Sequence, residues 1–241
     1  MKIVKFKNAQ ELGAYAAKEI ANAINEKPDI VLGLATGSTP IPTYNSLVDL
    51  YNEKKVDFSK VRSVNLDEYV GLEPTHDQSY RYFMNEHLFD KVNINKANTH
   101  VPNGVASDIA KECVDYEKLI DSIGGVDLQI LGIGTNGHIG FNEPSDSFTK
   151  CTSVAELAPS TIESNKRFFD SADEVPKQAV SMGIKTIMKS KKIFLIATGS
   201  EKADAINKTV NGDITPQIPA SVLQLHPDVT VLVDESAGKS L

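Results

Sequence analysis

The chain has 241 residues, 41% of them hydrophobic and 24% charged, a balance that excludes intrinsic disorder as the main state. A chain of this length can bury roughly 70% of the surface its unfolded form exposes, enough for one sizeable core, and the expectation is a single domain over residues 1–241. The 25 basic and 32 acidic residues give a net charge of −7, so no diffuse positive field exists to hold nucleic acid or an anionic membrane, and any anionic ligand must be held by a few local donors.

The first ten residues, MKIVKFKNAQ, lack the apolar stretch of a secretion signal, and no apolar run approaches the roughly 18 residues of a membrane span. Cys113 and Cys151 have no CxxC spacing. A cytoplasmic protein with free thiols is expected.

Short β-branched, apolar runs at 3–6, 30–35, 61–66, 128–133, 193–197 and 230–233 read as strands. Between them, residues 9–26, 41–53 and 108–123 repeat apolar side chains at three-to-four spacing and read as helices. Pro40, after Ser38 and Thr39, suggests a hydroxyl cap and an N1 proline for the second of these. Residues 175–188, opened by Pro176, also read as helix. Alternation of this kind is the mark of parallel βαβ units, so the expected architecture is an open parallel sheet between two layers of helices. Ligands of such sheets bind outside the carboxyl ends of the strands.

Two near copies, LATGST at 34–39 and IATGSE at 196–201, each close a strand and open a helix. Glycine allows close backbone approach, and amides at a helix start favour an anion; a turn that merely needs glycine and a cap is an equal reading for either alone. Lys202 tips the second turn towards an anion site. Neither fits GxxxxGK[ST], which disfavours a nucleoside triphosphate. Residues 132–137, GIGTNG, satisfy GxGxxG after a strand, but the following HIGFNEP predicts an irregular loop where a dinucleotide fold needs a helix.

That loop holds chemistry of its own. His138 can exchange a proton near neutral pH, and Glu143 within the same loop can fix its tautomer and raise its basicity. Asp67, just past the strand at 61–66, is expected to project over the sheet edge as a candidate base, with Glu68 pointing the other way. A solvated acidic turn is the plain alternative for this pair. The five histidines lack paired spacing, so no metal is expected. Arg167 either solvates a helix face or supplies a planar fork for phosphate. Two anion-suited turns, a histidine with a carboxylate and a separate aspartate suggest a sugar phosphate whose carbon acid is deprotonated, as in aldose-ketose isomerisation.

At these residues the chain resembles the glucosamine-6-phosphate deaminases, through LGLATGSTP (32–40), NLDEYVGL (65–72), LGIGTNGHIGFNEP (131–144), NKRFFD (165–170), VPKQAVSMGI (175–184) and LQLHP (223–227). The resemblance implies a three-layer α/β/α fold with a Rossmann-like sheet, and deamination of glucosamine 6-phosphate to fructose 6-phosphate and ammonia without a cofactor or metal. It implies that Asp67 is the base for C2 enolisation and that His138, with Glu143 and Asn136, opens the sugar ring. Phosphate ligands are implied at Thr36, Gly37, Ser38, Thr39, Arg167 and Lys202. Some members of the family carry aspartate where this chain has Asn136, so the basicity of His138 should rest on Glu143. The longer C-terminal region of the allosteric hexamers is missing, which points to a monomer or small homo-oligomer. Two rivals share the fold: 6-phosphogluconolactonases, which need no base at Asp67, and sugar-phosphate effector domains, which carry an added DNA-binding segment. Residues 144–160, rich in Ser, Thr and Pro, are the candidate for a lid.

Overall fold

Apolar runs with no polar alternation must be covered on both faces, and a parallel sheet between helices does this. The structure is a computed structural model that describes every residue except Arg167, Phe168, Asp170, Ala172 and Asp173. Among the described residues, seven strands form one wholly parallel sheet. From one edge to the other these are β1 (Lys2–Phe6), β10 (Val229–Asp234), β9 (Lys192–Ala197), β6 (Leu128–Leu131), β2 (Val31–Leu34), β3 (Arg62–Asn65) and β5 (Thr99–His100). Successive strands step away from β2 in one direction through β3 and β5, and from β6 in the other through β9 and β10. The order therefore reverses between β2 and β6, the position at which open α/β sheets bind ligands.

Helix α1 (Ala9–Glu26) starts where Asn8 accepts the amide of Glu11 at 2.9 Å, and it packs on α2 (Ile41–Asn52). Helix α3 (Tyr80–Met84) runs on into a π turn (Asn85–Phe89) that also packs on α2. Helix α4 (Ile109–Ser122) is capped by Asp108. Helices α5 (Pro159–Asn165), α6 (Ile184–Met188) and α7 (Ala203–Asn211) complete the set among the described residues. Two buried tyrosines fasten helices to strand ends: Tyr44 of α2 donates to the carbonyl of Ala35 at 2.6 Å, and Tyr116 of α4 to that of Asn65 at 2.8 Å. Burial holds both phenols far above their ordinary range, which keeps them neutral donors.

Four strands lie outside the expected set: β5 at the edge of the large sheet, and three that form a sheet of their own. β4 (Asp67–Tyr69), β7 (Ser153–Glu156) and β8 (Gln178–Ser181) form a small antiparallel sheet in the order β4-β8-β7, with Asp67 opposite Ser181. The helix expected over 175–188 is therefore corrected: its first half is the central strand of this sheet, and only Ile184–Met188 is helical. Pairing on both edges overrides the helical spacing. At Gly183 an added Cβ would lie 2.4 Å from the carbonyl oxygen of Cys151, so the extended chain passes where a side chain has no room. β7 gives part of the proposed lid, residues 144–160, a fixed place in this sheet. The cap expected for α2 is also corrected. Its N-cap is Pro40 without a side-chain bond, and Pro42 rather than Pro40 stands in the first turn.

Glu117 of α4 joins the two layers. Its Oε1 accepts the amide and the hydroxyl of Thr152, both at 2.7 Å, and the hydroxyl of Thr186 at 2.7 Å. Three bonds on one carboxylate oxygen at the base of β7 imply that Glu117→Ala costs about 1.5–3 kcal/mol. Urea unfolding is expected to show a lower midpoint, and limited proteolysis faster cleavage within 144–160.

Candidate active site

The cleft lies at the carboxyl ends of β2, β6 and β9 and has a volume of about 550 Å³, within the size range of small-molecule sites. Both copies of the TGS turn border it, one after β2 and one after β9, with the loop after β6 between them. The internal repeat is thus a pair of anion-suited turns facing one space. Thr36, Gly37, Ser38, Thr39 and Lys202 all line it. In the second turn the amide of Gly199 is already held by the carboxylate of Asp234, at 3.1 and 3.2 Å, so that turn is fixed from below and offers one amide fewer than its sequence suggests. Arg167, expected as a phosphate ligand, lies outside the described residues.

The loop after β6 is irregular, as its Gly and Pro content requires. Gly134 donates its amide to the carbonyl of His138 at 2.9 Å, and a Cβ on Gly134 would lie 2.4 Å from the imidazole ring. The second glycine of the GxGxxG string therefore makes room for the histidine ring, which is how the string arises without a dinucleotide site. His138 Nδ1 lies 3.2 Å from Glu143 Oε2. The same oxygen accepts the side-chain amide of Asn136 at 2.7 Å, while Asn136 Oδ1 accepts the backbone amide of His138 at 3.2 Å. Thr161 donates to the other oxygen of Glu143 at 2.5 Å. Burial works to raise the Glu143 carboxyl, but the bond and the charge of His138, with the Thr161 and Asn136 bonds, outweigh it and hold the group at about 2. Glu143 is thus a fixed anion, and its contact with Nδ1 leaves Nε2 of His138 to exchange protons.

Asp67 has the opposite environment. It is 7% exposed on β4 and lines the cleft, and burial first, then the adjacent Glu68, pushes its carboxyl well above the usual carboxylate range. A group so raised is tuned for proton transfer near neutral pH. The alternative of a solvated acidic turn fails for both residues, since Glu68 is only 2% exposed. As expected, Glu68 turns away from the cleft, where it accepts the amides of Tyr69, Tyr80 and Arg81. Burial raises its carboxyl and these bonds oppose the rise.

Sequence reading missed Tyr80, Phe141, Thr161, Glu163 and Glu201, all of which line the cleft. Phe141 and Glu201 adjoin motif residues and could have been found by proximity. Tyr80 and Thr161 come from separate elements, and no local pattern marks them. Among the described residues, no group of three or more His, Cys, Asp or Glu side chains could hold a metal ion, and no helix is long and apolar enough to cross a membrane.

Comparison with known proteins places this geometry. Residues 5–232 match the family model described as glucosamine-6-phosphate isomerases/6-phosphogluconolactonase. The glucosamine-6-phosphate deaminase of Clostridioides difficile (strain 630) is 57% identical over 241 residues, covering 100% of this chain and 97% of that one. A solved monomeric glucosamine-6-phosphate deaminase is 46% identical, with a TM-score of 0.98 and full coverage of both chains. The 6-phosphogluconolactonase of Trypanosoma brucei is 20% identical with a TM-score of 0.79, covering 100% of this chain and 98% of that one, a likeness of fold alone. With a family model spanning nearly all of its length and full-length relatives above half identity, the chain belongs to the glucosamine-6-phosphate isomerase/6-phosphogluconolactonase family.

Proposed function

We propose that this chain converts glucosamine 6-phosphate and water to fructose 6-phosphate and ammonia. The observation that carries the reading is one cleft holding two carboxylates in opposite states, Asp67 raised by burial and Glu143 held low beside His138. Two carboxylates pushed apart by their surroundings mark separate acid-base tasks. The match to deaminases at 57% and 46% identity supports the same reaction over lactone hydrolysis, for which only the fold is shared.

The phosphate docks at the Thr36–Thr39 turn with Lys202 supplying charge, since amides and hydroxyls at a helix start favour an anion. His138 takes the proton of the C1 hydroxyl through Nε2 and returns it to the ring oxygen, which opens the ring. Glu143 stabilises the imidazolium during this exchange, and Asn136 holds Glu143. Asp67 then removes the C2 proton of the open aldehyde and delivers it to C1 of the enolamine. Water adds to the resulting ketimine at C2 and ammonia leaves. The free thiols of Cys113 and Cys151 suit a cytoplasmic enzyme. A monomer is the assembly adopted here, by analogy with the monomeric relative.

The direct test is ammonia release from glucosamine 6-phosphate by EDTA-treated protein, with 6-phosphogluconolactone offered in parallel. Consumption of the lactone alone would replace this reading with the hydrolase, and inertness towards both would favour an effector-binding role.

Asp67→Asn is expected to lower kcat by about 10²–10⁴-fold while glucosamine 6-phosphate still binds. In the parent, kcat/KM should fall with acid at an apparent pKa at least a unit above the ~3.9 of an ordinary aspartate. The folded state prefers protonated Asp67, so its ionisation removes stability as pH rises through the raised value. The same Asp67→Asn change should therefore raise Tm by a few degrees at alkaline pH and have little effect near pH 4, as a thermal melt at each pH would reveal.

His138→Gln should slow the cyclic substrate more than an open-chain analogue, and equal losses on both would contradict its ring-opening role. Asn136→Asp exchanges a donor for a like charge beside Glu143 Oε2. It is expected to raise the Glu143 carboxyl and to change turnover of the cyclic substrate while an open-chain analogue reacts as with the parent, which steady-state rates on the two substrates would check.

A further inference from the structure

The two carboxylates at the start of β4 serve opposite sides of one strand. Asp67 faces the cleft, while Glu68 is locked beneath helix α3. Glu68 Oε1 accepts the amides of Tyr69 and Tyr80, both at 2.9 Å, and Oε2 accepts that of Arg81 at 3.0 Å. Tyr80 and Arg81 are the first two residues of α3, whose amides have no carbonyl of their own helix to bond. Ser79 completes the cap by accepting the amide of Tyr82 at 3.0 Å. The guanidinium of Arg81 in turn donates to the hydroxyl and carbonyl of Thr99, at 2.7 and 2.8 Å, which fastens α3 to β5. The residue next to the base thus sets the register of α3 against β4.

The first side chain of that helix is Tyr80, which lines the cleft together with Asp67 and Phe141. Its ring is stacked on Phe141, with centroids 6.2 Å apart and planes at 11°, and lies 4.7 Å from the ring of Tyr69. Phe141 is itself placed by its amide, which donates to Ser181 Oγ at 2.9 Å, on the residue paired with Asp67. The base therefore sits beside an aromatic wall whose two rings come from separate elements, each bonded to the small sheet. Burial first, with the nearby Tyr69 and Asp67, holds the Tyr80 phenol well above its ordinary range, so the wall adds no charge next to the base.

We propose that Tyr80 is a substrate-positioning residue whose ring, with that of Phe141, holds the carbon chain of the opened sugar against Asp67, and that Glu68 acts through it by fixing helix α3. The inference rests on Asp67 being the base of the proposed deamination. Aromatic rings supply rigid apolar area against which the C–H face of a sugar can pack. Proton transfer from C2 depends steeply on distance, and a misplacement of about 1 Å can cost 10²-fold.

The test is steady-state kinetics of Tyr80→Leu, Tyr80→Phe and Glu68→Gln on glucosamine 6-phosphate carrying hydrogen or deuterium at C2, with inhibition by inorganic phosphate as a measure of the anion turns. Tyr80→Leu should lower kcat at least about tenfold and enlarge the C2 isotope effect, with phosphate inhibition kept, and Tyr80→Phe should recover most of that loss. Glu68→Gln, whose amide NH2 group cannot accept a backbone N–H, should lower kcat with the same enlarged isotope effect. Parent kcat and isotope effect in Tyr80→Leu would overturn the wall, and a Tyr80→Phe variant as impaired as Tyr80→Leu would overturn it in favour of the hydroxyl. A lower Tm at unchanged kcat and isotope effect in Glu68→Gln would overturn its part; should that variant fail to fold, the tyrosine pair still decides. Failure of the underlying reading looks different, since Asp67→Asn would then deaminate as well as the parent.

Discussion

The amide of Leu66 donates to Leu34 across the parallel sheet at 3.2 Å, and its carbonyl accepts the amide of Met182 from the small sheet at 2.7 Å. One residue thus carries the chain out of β3 and into β4. A backbone group at a sheet end must find a partner once buried, and here the two groups find theirs in different sheets. The residue that follows is forced into the cleft roof, where water is scarce, and that residue is Asp67. Without the second pairing the chain would leave β3 as an exposed turn, and the aspartate would be an ordinary solvated acid.

The electrostatics of the cleft follow from this placement. Asp67 is raised because burial acts on it with no compensating bond from a described residue. Glu143 is less deeply enclosed, but burial still works to raise it; three side chains bond it, and it falls to about 2. Deeper burial without bonds raises one acid, and bonds that outweigh a smaller burial lower the other. The loop that carries Glu143 is tied to the same small sheet: Asn142 donates to the carbonyls of Ile139 and Met182 at 2.7 and 2.9 Å, and Phe141 to Ser181. The strand that carries Asp67 and the loop that carries Glu143 therefore both refer to β8 and the residue after it.

The anion turns show how much of the site is written locally. The strands before them are apolar, the glycines allow positive φ at Gly37 (84°) and Gly199 (90°), and hydroxyl residues flank both. Strand, turn and helix succeed one another within about ten residues, so the pattern is legible before any tertiary contact is known. The same holds for His138 and Glu143, five residues apart in one loop. Tyr80 and Thr161 could not be found this way, because each reaches the cleft from an element whose position depends on pairing with distant chain.

The sequence by itself determined six of the seven strands of the central sheet, the three long helices and the two turns, and it singled out Asp67, His138 and Glu143 as candidates, since each rests on periodicity or on residue types only a few positions apart; the two-residue β5 carries no such run. It misassigned 175–188, because helical spacing of apolar side chains is also compatible with a short strand covered on both sides. Tertiary structure alone decided that β4, β8 and β7 form a second sheet, that Asp67 and Glu68 are buried rather than solvated, and that Glu68 bonds helix α3. The reason is physical: burial and hydrogen-bond partnership at these residues come from Leu34, Tyr80 and Met182, and only the folded chain brings segments so far apart in sequence into contact.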